Sequence, residues 1–429
     1  MERALQLLRP GGVMGFILPS KFFQASYGRE LRALLSEQQA VWRVVDFGDA
    51  QVFEDATTYT CLLFLRKAPN PRLAYVAAGD WLKAQPDRPA LLPDDLPETL
   101  VDGERLSGGP WAFGSAKGDK ILRKIDSAGV VFGQICERMF QGLVTSADPV
   151  YILDAREVDK SVGLVTAYSR EQERTCKLEI DVAKPLLKGS LHIRRYHIEE
   201  VSRYVIFPYQ NGKLIPPEEF AVRYPNCWAY LLENRERLEN REQGKMRHAG
   251  WYGYVYPKNL TLFEQPKILT PSIAQRASFS YDARGQYYFV GSGGGGGGGY
   301  GITLKEGDLS PLYVLGLLNS RLLDYYLQSI SSPFRHGWYA YNKQYIERLP
   351  IRRINFDNPA DVARHDRLVV LVEEMLRLQR EKAAAEARLL DSRHDLARQI
   401  KRLDAQIDAL VYELYGLTEE EIAIVEGRS

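Results

Sequence analysis

The beginning of the chain alternates between helical and strand-like hydrophobic patterns. Residues 2–8 and 27–35 show the three- and four-residue spacing of amphipathic helices, whereas 13–18, 41–47 and 58–65 are short apolar runs typical of strands. The last two runs are not clearly amphipathic, so we expect both strands to be buried on two faces, as in a sheet covered by helices. The pattern of this N-terminal part therefore predicts an α/β fold.

The pattern weakens and then changes further along the chain. Residues 69–112 are rich in Pro, Asp and Gly and indicate a connector with a little local structure. A helical stretch at 117–126 is followed by short strand-like runs, separated by Gly, Pro and Asn, up to about residue 290. These runs predict a mixed, mostly β domain, and residues 312–327 predict one helix after it.

The C-terminal part reads as a helical hairpin. Apolar side chains spaced four and three residues apart predict a helix packed against another helix, and a similar upstream stripe favours an internal partner over an intermolecular coiled coil. The reversal is expected within 383–392. Gly416 stands where a helix ends, and Thr418 with Glu421 forms a capping-box pattern. The two stripes are Leu368, Leu371, Met375 and Leu378, and Leu396, Ile400, Leu403, Ile407, Leu410 and Leu414.

Composition excludes several classes of protein. The 429 residues are 45% hydrophobic and 26% charged, as in globular proteins of more than one domain. The four cysteines are far apart and lack zinc-ligand spacing, which predicts a reducing cytoplasm and no metal site. Without a signal peptide pattern or a run of 18 apolar residues, we expect a cytoplasmic protein without a membrane partner.

The formal net charge of the whole chain is +1, but the middle part of the chain is basic. Residues 184–353 contain 23 Lys and Arg and 14 Asp and Glu, a net charge of +9, interleaved with many tyrosines. Basic and aromatic side chains together suit nucleic acid, because cations neutralise phosphates and aromatic rings stack on bases. Tyrosines at the edges of a β-rich domain would give the same composition, so both interpretations stay open.

Two loops add candidate chemistry. A seven-glycine run that includes Gly293, Gly296 and Gly299 ends at Tyr300. It is either a mobile surface loop or a loop whose bare backbone approaches a phosphate chain. Residues 331–342 form an aromatic and basic cluster that would either enter a nucleic-acid groove or form a small satellite core.

Known catalytic motifs are missing from the sequence. It contains no glycine-rich phosphate loop after a strand, no nucleophile elbow and no metalloprotease His pair, and its six histidines are scattered. The acidic residues around Asp46 and Asp49 are better explained as a solvated turn. We therefore assign no catalytic residue and no metal ligand.

Two N-terminal segments carry a family resemblance. Residues 4–19 (ALQLLRPGGVMGFILP) resemble the strand after the catalytic motif in gamma-class adenine-specific (N6) DNA methyltransferases, including type II restriction-modification polypeptides. Residues 45–60 (VDFGDAQVFEDATTYT) are similar to a late motif of that family, whose aromatic residue stacks on the flipped adenine. The resemblance implies that role for Phe53, since an extruded base needs an apolar face. Ordinary packing at a strand end is the alternative.

The remainder resembles the TaqI-like target-recognition (specificity) domain that follows the catalytic domain in this family. The matching motifs, taken in order, are GLVTSAD at 142–148, LLKG at 186–189, LGLLNS at 315–320, IERLPI at 346–351 and ALVYELYGLTEEEI at 409–422. The resemblance implies a fold of α/β plus mixed α+β. Residues 1–68 would be the last strands and helices of a Rossmann-like methyltransferase sheet, and residues 69–112 a connector. Residues 113–356 would form a mostly β DNA target-recognition domain, and residues 357–429 a C-terminal helical hairpin region.

The chain departs from the family at its front. The S-adenosylmethionine loop and the Asn-Pro-Pro-Tyr type catalytic motif are not in the sequence. We therefore expect no cofactor to be bound by this chain alone, and S-adenosylmethionine to serve the complete enzyme. The strand from Val13 to Leu18 would then expose an edge. A separately encoded N-terminal catalytic fragment or subunit, a second copy of the chain or rearranged local structure would cover it.

The resemblance makes double-stranded DNA the expected partner and target recognition the expected function. An alternative is a protein-interaction or scaffold subunit of a restriction or phage-defence assembly that does not read DNA. The candidate DNA-binding residues are Lys188, Arg194, Arg195, Tyr196, Arg335, Trp338, Tyr339 and Lys343, with the loop of Gly293, Gly296, Gly299 and Tyr300 following the duplex.

Overall fold

The computed structural model describes residues 1–53, 58–85, 93, 95–111, 113, 116–291, 297–307 and 309–428. The chain divides into two compact units. The first consists of Met1–Val130, Arg321–Ala340 and Tyr412–Ser429, and the second of Val131–Ser320 and Tyr341–Val411. Each unit is therefore assembled from segments that are distant in sequence.

A five-stranded sheet lies in the first unit. The strand Thr60–Arg66 runs antiparallel to both of its neighbours, Val13–Pro19 and Val41–Asp46. The sheet continues with Arg72–Ala77, parallel to Val41–Asp46, and then with the antiparallel strand Glu98–Asp102. The helices of this unit are Glu2–Leu7, Arg29–Glu37, Gly79–Lys83, Ala116–Ala128, Arg321–Ile330 and Glu419–Val425.

Residues 69–112, where the sequence indicates a connector with a little local structure, contribute two strands to the sheet. Arg72–Ala77 and Glu98–Asp102 extend the sheet beyond the strands expected from the sequence. Leu73, Val76 and Val101 are buried. Three apolar side chains among many Pro and Asp residues give a weak pattern, but backbone pairing with an existing sheet is sufficient to order them.

The strand Val41–Asp46 is buried on both faces, as the sequence predicts. Consecutive side chains of a strand point to opposite faces of the sheet. Val44 packs in one cluster with Leu35 and Leu63, and the adjacent Val45 packs in another with Val76. Apolar groups therefore cover both sides of the sheet at this strand.

The strand Val13–Pro19 is an edge strand. Within the part of the chain that the structure describes, it pairs only with Thr60–Arg66. Its side chains alternate between exposed and half-buried, and Ile17 is 52% exposed. The edge expected at residues 13–18 is therefore present in the structure.

Two larger sheets form much of the second unit, besides short two-stranded ones such as Ile193–Arg194 with His197–Ile198. The larger has six strands and the smaller has four. The strands of the six-stranded sheet are, in spatial order, Arg174–Glu179, Leu164–Ser169, Ile152–Asp159, Arg203–Ile206, Ala183–Leu187 and Tyr288–Phe289. The strands of the four-stranded sheet are Ser280–Asp282, Lys267–Pro271, Gly299–Leu304 and Cys136–Gln141. The short strands expected for this region are present in these sheets, and the region also contains helices that the sequence pattern did not predict. Helices of this unit include Pro217–Arg223, Pro225–Glu233, Arg235–Glu239, Pro311–Asn319, Lys343–Ile346 and Pro359–Ala387.

Most tyrosines of the basic middle are core residues. Tyr230, Tyr252 and Tyr254 are buried, and their hydroxyl groups donate to backbone carbonyls. Tyr256, in contrast, is exposed. The structure thus favours the packing interpretation for this set over base stacking. The other buried members are Tyr196, Tyr204, Tyr209 and Tyr224.

The helix predicted at 312–327 is two helices, Pro311–Asn319 and Arg321–Ile330. They are separated at Ser320, whose backbone is extended and whose buried hydroxyl donates to the carbonyl of Leu317. The division between the two units also falls here. The apolar pattern continues across the break because both helices have buried faces.

Two long helices, Pro359–Ala387 and Ser392–Tyr415, occupy the region predicted as a hairpin. The stripe of the first helix packs on Pro311–Asn319, since a Cβ on Gly316 would lie 3.1 Å from Leu368. A different helix therefore meets this stripe, and packing between the two long helices stays a prediction. None of the helices in the described residues has the length and apolar character needed to cross a membrane.

Candidate nucleic-acid interface

Three glycine-containing segments converge in the second unit. A Cβ on Gly189 would lie 2.0 Å from the carbonyl oxygen of Gly298, and one on Gly142 would lie 2.3 Å from that of Phe289. The Gly291 amide donates a hydrogen bond to the carbonyl oxygen of Leu143 at 2.9 Å. Only glycine permits backbones to approach this closely. We call Gly142, Gly189, Gly291, Gly297 and Gly298 the glycine junction.

Lys188 lies at the glycine junction. A Cβ on Gly297 would lie 2.7 Å from its Cε, so the alkyl chain of Lys188 runs along the bare backbone. Its amide donates to His192 Nδ1 at 2.8 Å. Lys188 is half-buried, and no carboxylate among the described residues forms an ion pair with it. Among the residues that the structure describes, Lys188 is therefore a cation of the junction without a carboxylate in direct contact.

The glycine loop is described only at its end. Gly293 and Gly296 lie outside the described residues. Gly299 and Tyr300 begin the strand Gly299–Leu304, and the buried Tyr300 accepts a hydrogen bond from Gln141 at 3.2 Å. These two residues are thus part of a sheet.

Arg194, Arg195 and Tyr196 form a short hairpin in which only Arg194 faces solvent. Arg194 contacts Glu199 at 3.2 Å and donates to the carbonyl of Ser190 at 2.7 Å. The Arg195 side chain is 11% exposed and pairs with Asp404. Tyr196 is buried with φ +59°, and burial raises its pKa. Arg195 and Tyr196 therefore shape the hairpin and are not on its surface.

Lys343 lines a polar cleft of about 550 Å³ in the second unit. It is exposed at the start of the helix Lys343–Ile346. Arg138, which the sequence analysis did not single out, lines the same cleft from the strand Cys136–Gln141. Glu137 and Glu347 also line it, so the cleft has balanced charge. No local sequence pattern joins Arg138 to Lys343, since more than 200 residues separate them in the sequence.

The remaining candidates belong to the first unit. Phe53 follows the turn after Val41–Asp46 and is 46% exposed. Trp338 and Tyr339 are half-buried in the short strand Trp338–Ala340, and Arg335 precedes them in a turn at 335–337. The candidates are thus divided between the units, although all but Phe53 were assigned to one recognition domain.

The turn before Phe53 is fixed by Asp46. The Gly48 amide donates to Asp46 Oδ1 at 2.9 Å, and the Tyr75 hydroxyl donates to Oδ2 at 3.2 Å. Burial raises the pKa of Asp46, while these two hydrogen bonds oppose that rise. Asp46 therefore has a structural role in positioning the segment that carries Phe53.

A buried arginine supports the glycine junction. Arg241 donates to the carbonyls of Thr145, Trp251 and Gly253 at 3.1, 2.6 and 2.9 Å. Thr145 follows Gly142 in the GLVTSAD segment. A guanidinium group can satisfy several carbonyls at once because its donors are fixed in one plane. Sequence reasoning missed Arg241, since nothing in its neighbours signals burial.

Comparison with known proteins identifies the class. Residues 184–351 match the model of the TaqI-like C-terminal specificity domain, and residues 1–53 match that of the Eco57I restriction-modification methylase. The two matches occur in the order expected from the motifs. They confirm the resemblance to the C-terminal part of type II restriction-modification methyltransferases with a TaqI-like specificity domain.

Individual relatives agree with this class. The chain is 26% identical to the type II restriction enzyme and methyltransferase RM.Eco57I of Escherichia coli, covering 99% of this chain and 43% of the relative. It is 25% identical to the type II methyltransferase M.PaeR7I of Pseudomonas aeruginosa, covering 100% of this chain and 65% of the relative. The chain thus spans less than two thirds of these relatives.

A solved structure shows a similar fold. The type IIL restriction-modification enzyme MmeI, solved in complex with DNA, matches with a TM-score of 0.52 and 12% sequence identity. The match covers 96% of this chain and 48% of MmeI. The chain therefore has a fold of mixed α/β character that resembles half of a restriction-modification enzyme.

Proposed function

We propose that this chain supplies sequence-specific DNA recognition, as the specificity portion of an adenine-N6 DNA methyltransferase of a restriction-modification or phage-defence system. The observation that carries the proposal is Lys188 at the glycine junction. Its alkyl chain lies on glycine backbone, and no carboxylate among the described residues pairs with its ammonium group. A lysine beside bare glycine backbone, which lets a ligand approach closely, suits a phosphate group.

The exposed cations would make the remaining contacts of the second unit. Arg194 is exposed at its hairpin, and Lys343 with Arg138 lines the polar cleft. Phosphate contacts from such residues position a protein on the duplex, and contacts with base edges read the sequence. Arg195 and Tyr196 would act indirectly, by holding the hairpin that carries Arg194.

The first unit would be the terminal part of a Rossmann-like methyltransferase sheet. Its strand Thr60–Arg66 lies antiparallel between two strands, and the edge of Val13–Pro19 would be covered by an N-terminal catalytic fragment or subunit. Phe53 would stack on the flipped adenine. S-adenosylmethionine would serve the complete enzyme, and we assign no residue of this chain to it. By itself the chain would be catalytically incomplete.

Selection from random-sequence duplex DNA tests the proposal. The purified chain is mixed with the pool at two salt concentrations, and the bound fraction is sequenced. We expect enrichment of a short adenine-containing motif and affinity that falls steeply with salt. Lys188→Ala should weaken binding and reduce the slope of log affinity against log salt by about one. Lys160→Ala, an exposed lysine at a turn of the second unit, is the matched control.

The scaffold alternative is favoured by one observation. Leu389, between the two long helices, is 78% exposed, and the adjacent Leu390 is also exposed. Exposed apolar side chains of this kind suit a protein contact. Binding to the pool that is absent or insensitive to salt would support this alternative and contradict DNA recognition, because an apolar protein interface releases few counterions.

A further inference from the structure

The aromatic loop around Phe334 belongs to the same unit as Phe53. Phe334 packs edge-on against Tyr59, with 6.4 Å between the ring centres and an angle of 77°. Ser332 donates to the side-chain oxygen of Gln24 at 3.2 Å. The loop is therefore placed beside Tyr59 and Gln24, although more than 270 residues separate Phe334 from Tyr59 in sequence.

Tyr339 gives independent support for this position. Burial raises its pKa, and the charges of Asp324 and Asp49 raise it further. Asp49 lies in the turn between Val41–Asp46 and Phe53. Phe334 on the first strand of the loop thus contacts Tyr59, and Tyr339 on the second strand lies within range of the charge of Asp49.

The loop holds Phe334 in a defined position. Phe334 pairs with Trp338, and Pro333 pairs with Tyr339, in a short antiparallel ribbon. Its turn uses positive φ angles at His336 (+61°) and Gly337 (+71°). The Ser331 hydroxyl donates to the carbonyl of Ala340 at 2.6 Å and closes the base of the ribbon. Phe334 nevertheless keeps 38% of its surface exposed.

An extruded base leaves an unstacked space in the duplex. Filling that space with an apolar side chain compensates part of the lost stacking, and proteins that distort DNA insert Phe, Leu or Met between bases for this reason. Phe334 has the required side chain. It is exposed, is held by a closed ribbon and lies in the unit that carries the proposed base-stacking residue.

We propose that Phe334 is a wedge that enters the duplex and occupies the space left by the adenine that moves to Phe53. The proposal rests on the proposed function, because it requires binding to a target duplex. It assigns the aromatic loop a role in extrusion of the base, distinct from the phosphate contacts of Lys188.

The test uses the motif that is enriched from the random pool. Binding of the wild-type chain and of Phe334→Ala is measured on two duplexes, one normal and one with a pyrene nucleotide opposite the target adenine. Pyrene fills the space of a base pair and so replaces the wedge. On the normal duplex, we expect Phe334→Ala to bind about tenfold more weakly, as for loss of one stacking contact. On the pyrene duplex, the difference should fall below about twofold.

Two controls separate the possible causes. Phe356→Ala removes a phenylalanine of similar exposure (40%) from the second unit and should leave both affinities unchanged. Lys188→Ala should weaken binding to both duplexes equally, because it removes a phosphate contact. Equal binding of Phe334→Ala and wild type, or equal loss on both duplexes, would overturn the wedge alone. Failure of the wild-type chain to enrich any motif would overturn the proposed function and the wedge with it.

Discussion

Arg195 Nη2 lies 2.5 Å from Asp404 Oδ1, so an ion pair joins a hairpin turn to a helix 209 residues further along the chain. The Arg195 side chain is mostly buried, and its guanidinium group also lies over the ring of Tyr196. A residue that sequence reasoning placed on DNA is thus engaged within the protein. Its neighbour Arg194 remains on the surface.

We expect Arg195→Ala to destabilise the second unit. Removing one partner of a buried ion pair leaves the other charge poorly solvated and costs about 3–5 kcal/mol. Because Asp404 retains partial exposure, we expect a loss of about 2–3 kcal/mol in the free energy of unfolding. Urea denaturation of Arg195→Ala, Asp404→Ala and the double variant measures the coupling.

Arg194→Ala is the matched control for this pair. It removes an exposed arginine, so the free energy of unfolding should change by less than about 0.5 kcal/mol. Its affinity for DNA and the salt dependence of that affinity should fall instead. A stable Arg195→Ala variant that loses DNA affinity as Arg194→Ala does would show that Arg195 contacts DNA directly.

Glu421 should make stability depend on pH. Burial alone would raise its pKa, but hydrogen bonds from Lys124 (2.6 Å) and the Thr418 amide (2.9 Å) lower it overall. Because the folded pKa lies below the unfolded value of about 4.3, the carboxylate contributes stability above that pH. This contribution is lost as the pH falls through the folded pKa.

The variant Glu421→Gln tests this prediction. Glutamine retains the capping hydrogen bond but not the charge. At pH 7 we expect it to lower the free energy of unfolding by about 1 kcal/mol, since charge-assisted hydrogen bonds are the stronger kind. Urea denaturation from pH 7 to pH 3 should show the difference from wild type shrinking below pH 4.3. A difference that is constant across this range would contradict the assignment.

Replacing a glycine of the glycine junction by alanine should destabilise the protein. In Gly189→Ala, the new Cβ would lie 2.0 Å from the carbonyl oxygen of Gly298, which is backbone and cannot move aside cheaply. We expect a loss of at least about 1–3 kcal/mol in the free energy of unfolding, together with weaker DNA binding. Gly307→Ala is the control, because a Cβ there meets nothing within 4 Å. Similar behaviour of both variants would contradict the close approach.

Phe53→Ala should separate stability from recognition. Because Phe53 is exposed, its truncation should change the free energy of unfolding by less than about 0.5 kcal/mol. If Phe53 stacks on an extruded adenine, affinity for the enriched duplex should fall by a stacking contribution of about 1–3 kcal/mol. Phe53→Trp should retain binding. Titration of the three proteins checks this, and an unchanged affinity of Phe53→Ala would support ordinary packing.

Several features of this protein follow from sequence by local physics. The Thr418 capping box is present, and Gly416 ends the preceding helix with φ +65°. Each depends on residues a few positions apart, where backbone geometry and side-chain reach are set by chain connectivity. The strands at 13–18, 41–47 and 58–65 were predicted from similarly local patterns and occur close to their expected bounds.

The sequence by itself thus determined several helices, the three N-terminal strands and the family resemblance, whereas tertiary structure decided which candidate residues are accessible. Arg195 is paired because a helix brings Asp404 to it, and Phe334 belongs to the same unit as Phe53 because the chain returns to the first unit. The strands within 69–112 form because the sheet supplies their partners. Local patterns do not encode these contacts, since each depends on segments that meet only after the chain has folded.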